Sequence, residues 1–384
     1  MSAPRESKAA SGAVLVVIPC INEASHIENV VTKLAAEADR VDLRIAIADG
    51  GSSDQTRPIV QRLMRSNPRI MLMDNPKRIQ AAGVNAAVRQ YGLGAQYLIR
   101  ADAHADYPNR YCETLLNVCV RTQADSVVVG MHTVGSTCFQ RAAAAAQNSI
   151  LGNGGSAHRN QSADRWVDHG HHALMTMDAF KAAGGYDETF SHNEDAELDN
   201  RLIANSYHIY LTGEAQVTYY PRANIASLFR QYFNIGRGRA RNFLKHRRNV
   251  KLRHLVLAAV APALCLALLA PFAGVFAVPA LGWAALCISY GIVLGARLRD
   301  PCAAGAGIAA MVMQLGWSIG FFRALFAEVR IGQPTMRSKR FKSSQVRPGT
   351  YGAAESSIAA VKSDDPTHHA SIKCASQTQN RFVR

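Results

Sequence analysis

The sequence predicts an α/β domain with a mainly parallel sheet and helices on both faces, followed by C-terminal transmembrane helices. Two observations support this prediction. Short β-branched runs alternate with helical patterns through the first half of the chain. Further along, residues 255–296 contain no Asp, Glu, Lys or Arg. With 384 residues, the chain is long enough to bury a sizeable core.

The α/β prediction rests on five candidate strands and the helical patterns between them. The strands are Val14–Ile18, Leu43–Ala48, Arg69–Met73, Gln96–Ile99 and Ser126–Val129. The helical patterns lie near Glu23–Glu37, Asp54–Ser66, Ile79–Tyr91 and Asn109–Arg121. In a parallel sheet of this kind, ligands bind beyond the carboxyl ends of the strands. Polar clusters follow three of these strands, so we look for the chemistry at that edge.

The apolar C-terminal region predicts a membrane domain. A bilayer-spanning helix needs about 20 residues, so the uncharged residues 255–296 predict two spans, with a break at Pro271 and Gly274. A further run, Ala303–Phe322, is long enough for a third span. A third crossing would place the following basic residues outside, against the positive-inside tendency. The alternative is a re-entrant or interfacial segment.

Charge is distributed unevenly along the chain, whose formal net charge is +15. No acidic residue lies between Glu214 and Asp300, whereas many arginines and lysines lie between Arg222 and Arg253. A basic block directly before an apolar run is typical of a cytoplasmic membrane flank. No nucleic-acid-binding motif accompanies it, so a nucleic-acid partner is not expected.

These patterns predict five segments: a flexible N-terminus (1–12), the α/β catalytic domain (13–222), an amphipathic basic interfacial region (223–254), a membrane domain of two to three hydrophobic helices (255–322), and a basic, then disordered tail (323–384). The eight cysteines form no CxxC pair, which fits neither a disulfide framework nor a zinc site. We therefore expect reduced, mostly buried thiols in a protein that faces the cytosol.

Two acidic motifs follow predicted strands. In Asp49-Gly-Gly-Ser52-Ser-Asp54, Asp49 can accept hydrogen bonds from a nucleobase or a ribose, whereas Ser53 and Asp54 fit an N-cap equally well. In Arg100-Ala-Asp102-Ala-His104, the last two polar side chains are two residues apart and can face the same side. Together they can hold a divalent cation that neutralises a departing diphosphate.

Two later motifs add a candidate base and candidate anion ligands. Four carboxylates lie within the six positions 194–199, where one of them can act as a general base. Acidic residues also favour a first helical turn, and Glu197 can simply pair with Arg201. The stretch from Gln231 to Arg241 combines amide, aromatic and guanidinium groups. Its arginines suit a diphosphate, although contact with lipid headgroups fits Arg239 and Arg241 equally well.

The order of these motifs resembles family-2 glycosyltransferases, and more narrowly the succinoglycan-type exopolysaccharide glucosyltransferases. The resemblance covers roughly residues 13–322. Besides the motifs above, it is carried by Pro19…Asn22-Glu23, Gly184-Gly-Tyr-Asp-Glu188, Asn193-Glu-Asp-Ala-Glu-Leu198, Tyr220-Pro-Arg222 and Gln231-Tyr-Phe-x-x-Gly236.

The resemblance implies a GT-A fold, a UDP-sugar donor and Mg²⁺ or Mn²⁺ as cofactor. It implies Asp195 as the catalytic base and Asp102 with His104 as metal ligands. The nucleotide-sugar-binding residues it implies are Pro19, Glu23, Asp49, Ser52, Asp102 and Glu194. Gln231 and Arg237 match the position of a Gln…Arg motif near the diphosphate and acceptor, although no Arg-Trp pair follows here. The stretch His169-Gly-His-His172 departs from the relatives and is either a metal site or a substitution in the acceptor-facing region.

The sequence therefore predicts an inverting, metal-dependent hexosyltransferase of the cytoplasmic (inner) membrane, multi-pass, with its catalytic domain in the cytoplasm. We expect transfer of a hexose, glucose in this prediction, from a UDP-sugar to a polyprenyl-diphosphate-linked saccharide during exopolysaccharide biosynthesis. The expected partners are these two substrates, membrane lipids and a polysaccharide assembly complex. The alternatives are a polyprenyl-phosphate glycosyltransferase and a non-catalytic assembly scaffold.

Overall fold

A computed structural model describes residues 12–155, 164–247 and 251–331. The predicted disordered tail, with Cys374, and almost all of the predicted flexible N-terminus lie outside these residues. In the described part, eight strands form one mixed sheet in the order β3-β2-β1-β4-β7-β5-β8-β6. The strands are β1 (Val14–Cys20), β2 (Leu43–Asp49), β3 (Ile70–Asp74), β4 (Tyr97–Arg100), β5 (Ser126–Thr133), β6 (Arg165–Val167), β7 (His171–Thr176) and β8 (Ile209–Tyr219).

Most of the sheet is parallel. Strands β1 to β4 pair in parallel, as do β5 and β8. Strand β7 is inserted antiparallel between β4 and β5, and β6 is antiparallel to β8. The five predicted strands are confirmed with small shifts at their ends. Strands β6, β7 and β8 were not predicted, because β7 begins with two histidines and β6 has only three residues.

Helices cover both faces of the sheet, as predicted. They are α1 (Ile27–Ala35), α2 (Thr56–Ser66), α3 (Gln80–Tyr91), α4 (Tyr111–Thr122), α5 (Cys138–Asn148), α6 (Ile150–Asn153), α7 (Met177–Ala182), α8 (Glu194–Ala204) and α9 (Ile225–His246). Helix α1 buries Ile27, Val30, Val31 and Leu34, a spacing that forms one helical face. Helices α1, α2 and α4 pack on one face of the sheet, and α3, α7 and α8 pack on the other.

The parallel register brings the ends of β1, β2 and β4 to one edge. Cys20 at the end of β1 lies opposite Asp49 at the end of β2. The amide of Gly50 then donates a hydrogen bond to the Cys20 carbonyl (2.8 Å). Arg100 ends β4 beside β1. The polar clusters that follow these strands therefore share one edge of the sheet, as the sequence predicts.

The apolar region begins with two short helices, α10 (Leu252–Ala258) and α11 (Val260–Ala267). It continues with a 3-10 turn (Gly274–Ala277), α12 (Val278–Leu298), a second 3-10 turn (Pro301–Gly305) and α13 (Ala306–Ile331). Two helical stretches of the described residues are long and apolar enough to span a membrane, Gly274–Leu298 and Pro301–Ala327.

Within residues 255–296 the structure has one span-length helix, preceded by the short apolar stretch Leu252–Ala267, so the two crossings of this region stay a prediction. Pro262 accounts for the break between α10 and α11, because proline has no amide hydrogen for the Ala258 carbonyl. The hydroxyl of Ser318 donates to that carbonyl instead (2.9 Å). The run Ala303–Phe322, which the sequence left open, lies in the second span-length helix.

The cysteine prediction is wrong for one pair. Cys138 in α5 and Cys302 in the second 3-10 turn form a disulfide, with their Cα atoms 5.1 Å apart. The two residues are 164 positions apart, so their spacing in the sequence does not reveal the contact. Of the described free cysteines, Cys20, Cys112, Cys119 and Cys287 are buried, as expected, whereas Cys265 is exposed.

Candidate active site

A cavity of about 800 Å³ lies where the carboxyl edge of the sheet meets the apolar helices. The sheet domain contributes Asp102 and His104 after β4 and Asp195 at the start of α8. Helix α9 contributes Gln231, and α13 contributes Trp317. Acidic, basic and apolar side chains therefore share one cavity, although they come from distant parts of the chain.

Arg100, which is buried at the end of β4, organises the acidic groups of this cavity. Its guanidinium donates hydrogen bonds to Asp195, to Asp102 (3.3 Å) and to Gln80 (2.7 Å). Glu194 lies 3.6 Å from the same guanidinium. One buried cation thus holds together the predicted catalytic base and the predicted metal ligand.

The charges of the two carboxylates follow from this arrangement. Burial by itself would raise the pKa of Asp195, but Arg100 and the nearby histidines outweigh it, and the net pKa lies below the usual value. The pKa of Asp102 is lowered in the same way. For Glu194, burial and the neighbouring Asp195 dominate and raise the pKa to about 7. Asp195 is therefore ionised at neutral pH and able to accept a proton.

A histidine pair lies behind Asp195. The Nδ1 atom of His172 is 3.4 Å from Asp195, and its Nε2 atom is 2.7 Å from Asp199. His169 contacts the other oxygen of Asp199 (2.7 Å). Burial lowers the pKa of His172, but Asp199 and Asp195 more than compensate, so the net pKa is raised. His172 thus lies between two carboxylates whose charges favour its protonated form.

His104 and Asp102 suit a divalent cation that also binds a diphosphate. The described residues contain no group of three or more His, Cys, Asp or Glu side chains placed to hold a metal ion. If Asp102 and His104 hold a cation, phosphate oxygens and water would complete its shell, as is common for Mg²⁺. The Nδ1 atom of His104 contacts Glu23 (2.9 Å). This leaves Nε2 for a metal, in the carboxylate–histidine arrangement typical of metal sites.

The residues predicted to bind the nucleoside lie beside this cavity, at the ends of β1 and β2. Asp49 is buried and accepts hydrogen bonds from Ser52 (2.5 Å) and Arg57 (2.8 Å). Pro19 is buried one residue before the end of β1. Glu23 joins this group to the cavity through His104. Asp49 therefore fixes the turn after β2, while Glu23 lies between that turn and the predicted metal ligands.

The structure separates the two residues of the predicted Gln…Arg pair. Gln231 lines the cavity and donates to the hydroxyl of Tyr219 (2.9 Å). Arg237 instead lines a second groove, between α11 and α13. Arg239, two residues further along α9, lines the main cavity.

Sequence reasoning missed the roles of Arg100 and Asp199. The motif around Asp102 begins with Arg100 but gives it no role, whereas in the structure Arg100 contacts Asp102, Glu194 and Asp195. Asp199 lies four residues after Asp195, on the same face of α8. That spacing was a signal that both side chains point in one direction, and the structure joins them through His172.

Comparisons with known proteins agree with this geometry. The family model described as Glycosyl transferase family 2 matches residues 15–184. The chain is 54% identical over 311 residues to the succinoglycan biosynthesis protein ExoA of Rhizobium meliloti (strain 1021), covering 81% of this chain and 94% of that protein. It is 36% identical to the chondroitin synthase of Pasteurella multocida (strain Pm70), but only over 75 residues, 20% of this chain and 8% of that protein.

A solved structure supports the fold. The mannosyltransferase PcManGT of Pyrobaculum calidifontis, solved with GDP-Man and Mn²⁺, aligns with a TM-score of 0.53 and 17% identity over 83% of this chain and 88% of that one. At this identity the likeness concerns the fold alone. The sheet, the cavity at its carboxyl edge and the extent of the match to the Rhizobium protein together show that the chain belongs to glycosyltransferase family 2 and has a GT-A fold.

Proposed function

We propose that the protein is an inverting hexosyltransferase that transfers glucose from a UDP-sugar to a polyprenyl-diphosphate-linked saccharide during exopolysaccharide assembly. The observation that carries the proposal is the cavity itself. It contains a partly buried carboxylate with a lowered pKa, Asp195, close to Asp102 and next to the apolar helices. The 54% identity to a succinoglycan biosynthesis protein supports a role in exopolysaccharide formation.

In this proposal Asp195 removes the proton of the acceptor hydroxyl as that oxygen attacks the anomeric carbon of the donor. A single displacement of this kind inverts the anomeric configuration. Arg100 and His172 keep Asp195 ionised and oriented. A divalent cation bound by Asp102 and His104 would supply the positive charge that stabilises the departing nucleoside diphosphate.

In the same proposal, Pro19, Glu23, Asp49, Ser52 and Glu194 form the donor side of the site. The protein acts at the cytoplasmic membrane as a multi-pass protein, with its sheet domain on the cytoplasmic side. The basic residues before α10 support this orientation, and two span-length apolar helices support membrane association. Membrane lipids and other enzymes of polysaccharide assembly are the partners this location implies.

The test is a transfer assay with the full-length protein in vesicles, a polyprenyl-diphosphate-linked oligosaccharide and a panel of UDP-sugars, with Mg²⁺ or Mn²⁺. We expect release of UDP and a lipid product that has gained one hexose and kept its diphosphate. Loss of a general base typically costs about 10²- to 10⁴-fold, so Asp195→Asn should lower turnover by that factor. Asp178→Asn, at an exposed position in α7, is the matched control.

Two results would contradict the proposal. Turnover by Asp195→Asn equal to that of the wild type would remove Asp195 from the mechanism. Transfer only to polyprenyl phosphate would replace the proposed acceptor with a lipid monophosphate. The anomeric configuration of the new bond, read by NMR, tests inversion independently of the acceptor.

A further inference from the structure

The wall of the cavity that faces the apolar helices carries two arginines. Arg239 belongs to α9, and Arg253 belongs to α10. Both line the cavity, together with Leu257, Met313 and Trp317 of the apolar helices. Positive charge and apolar surface therefore lie side by side on this wall.

Neither arginine forms a direct ion pair with a carboxylate in the part of the chain that the structure describes; Asp168 acts on both arginines, and Asp199 on Arg239, only at longer range. The two nearby carboxylates are already occupied: Asp199 contacts His169 and His172, and Asp168 contacts Lys251 (2.7 Å). Burial, followed by the charge of Arg253, lowers the pKa of Arg239 to about 10. Two like charges thus share a partly desolvated wall, an arrangement that an incoming anion would stabilise.

This pair of arginines is separate from the donor side of the cavity. Arg239 is close enough to Arg253, Asp199 and Asp168 to interact with them. A chain of contacts runs from Asp102 through Arg100 to Asp195, and then through His172 to Asp199. Asp102 lies at one end of this chain and Arg239 beside the other, with Asp195 between them.

We propose that Arg239 and Arg253 bind the phosphate groups of a lipid-linked acceptor, while Leu257, Met313 and Trp317 contact the first part of its lipid chain. A phosphate attached to an apolar chain matches both features of this wall, since guanidinium groups bind phosphate through paired hydrogen bonds. The inference rests on the proposed function and adds to it the residues that hold the acceptor. It also explains why apolar helices form part of a sugar-transfer cavity.

The test measures steady-state kinetics of Arg239→Gln and Arg253→Gln in neutral-lipid vesicles, with the polyprenyl-diphosphate-linked acceptor. Each variant loses a charge-assisted hydrogen bond, so the KM for this acceptor should rise about 10- to 100-fold. The KM for the UDP-sugar should stay at the wild-type value. With a soluble acceptor saccharide that lacks lipid and phosphate, wild type and variants should turn over equally.

The matched control is Arg297→Gln, which removes an exposed positive charge at the end of α12 and should leave both KM values unchanged. A rise in the donor KM of either variant would place these arginines at the nucleotide diphosphate and overturn the inference. A defect that appears only in vesicles of anionic phospholipid would mean that they bind bulk headgroups, and would overturn it as well. The two variants lie on different helices, so a folding defect in one leaves the other as a test.

The two proposals fail in different ways. Absence of any hexose transfer to the lipid diphosphate by the wild-type protein would contradict the proposed function. Normal wild-type transfer, combined with unchanged acceptor KM in both arginine variants, would contradict only the assignment of Arg239 and Arg253.

Discussion

Asp195 shows how opposing effects set the charge of one residue. Burial favours its neutral form, while Arg100 on one side and His172 on the other favour the carboxylate. Neither partner is near it in the sequence: Arg100 ends β4 and His172 lies in β7. The proton affinity of the proposed base therefore depends on two strands that meet only in the folded sheet.

His172→Gln tests this dependence. The glutamine amide keeps a polar group in place but cannot carry the positive charge with which His172 lowers the pKa of Asp195. The pKa of Asp195 should therefore rise. The acidic limb of the pH profile of kcat/KM should move to higher pH. We expect kcat to fall about 10- to 100-fold at neutral pH, on the scale of a misplaced reacting group, with little change in the donor KM. The measurement is a pH series of initial transfer rates.

His208→Gln serves as the control for that series. His208 is an exposed histidine beside Asp125, outside the cavity, and its loss should leave the profile unchanged. A lower rate in His172→Gln without movement of the acidic limb would mean that His172 serves packing alone.

Helices α8 and α9 are joined by a buried carboxylate. Glu197 of α8 contacts Arg201 (2.5 Å) on its own helix and Lys245 (2.6 Å) and His246 (3.1 Å) on α9. Burial opposes its ionisation, but these three partners lower the pKa to about 2, from the usual 4.5. Because α8 carries Asp195 and α9 carries Arg239, this cluster fixes the distance between the proposed base and the proposed acceptor site.

Glu197→Gln should destabilise the protein at neutral pH. Because folding lowers the pKa of Glu197, its ionised form stabilises the folded protein at pH values above the unfolded-state pKa. That stabilisation is lost as the pH falls from about 4.5 through about 2. The expected loss at pH 7 is on the order of 3 kcal/mol. Unfolding in detergent at pH 7 and pH 3 measures the difference in unfolding free energy between wild type and variant, and this difference should be smaller at pH 3. A difference that is the same at both pH values would assign the effect to packing.

The contact between α9 and α13 depends on glycine. A Cβ atom at Gly320 would lie 2.0 Å from the carbonyl oxygen of Phe233, a backbone atom that cannot move aside cheaply. Gly320→Ala should therefore push α13 away from α9, lower the melting temperature in detergent and reduce transfer by disturbing the cavity wall at Trp317. Gly282→Ala, in α12, is the matched control because no atom lies within 4 Å of its added Cβ. Equal melting of the two variants would contradict the prediction.

The elements that the sequence predicted well are those whose pattern is local. Strands β1 to β5 are short, mostly apolar runs between polar turns, and helices α1 to α4 each have an apolar side, so both could be predicted without tertiary contacts. Strand β7 could not, because His171 and His172 lie in the sheet only through pairing with β4 and β5. The helix break caused by Pro262 was missed because the contact that stabilises it is distant in sequence: the Ser318 hydroxyl donates a hydrogen bond to the carbonyl of Ala258.

At the scale of the whole molecule, the cavity belongs to neither the sheet nor the apolar helices alone. The motifs predicted its acidic side: Asp102 and His104 follow a strand, and Asp195 opens a helix. The basic and apolar wall, with Arg239, Arg253 and Trp317, depends on how α9, α10 and α13 pack, which no motif records. The sequence could therefore indicate the chemistry of the donor side, but not which residues face the acceptor.

The disulfide between Cys138 and Cys302 attaches the turn between α12 and α13 to α5 of the sheet domain, beside the ion pair of Arg141 and Asp300 (2.5 Å). Closing so long a loop restricts the unfolded chain, by on the order of 5 kcal/mol in the chain-entropy account. Without reductant, the double variant Cys138→Ser with Cys302→Ser should melt below the wild type.

Adding reductant should bring the wild type down to the melting temperature of that double variant and leave the variant itself unchanged, because only the wild type has the bond to lose. Cys265→Ser, at an exposed free cysteine, should follow the wild type in both conditions. We expect the ion pair of Arg141 and Asp300 to remain when the bond opens, so the helices should stay attached and transfer should continue in a reducing cytosol. Identical melting of the wild type and the double variant without reductant would show that this bond does not hold the apolar helices to the sheet domain.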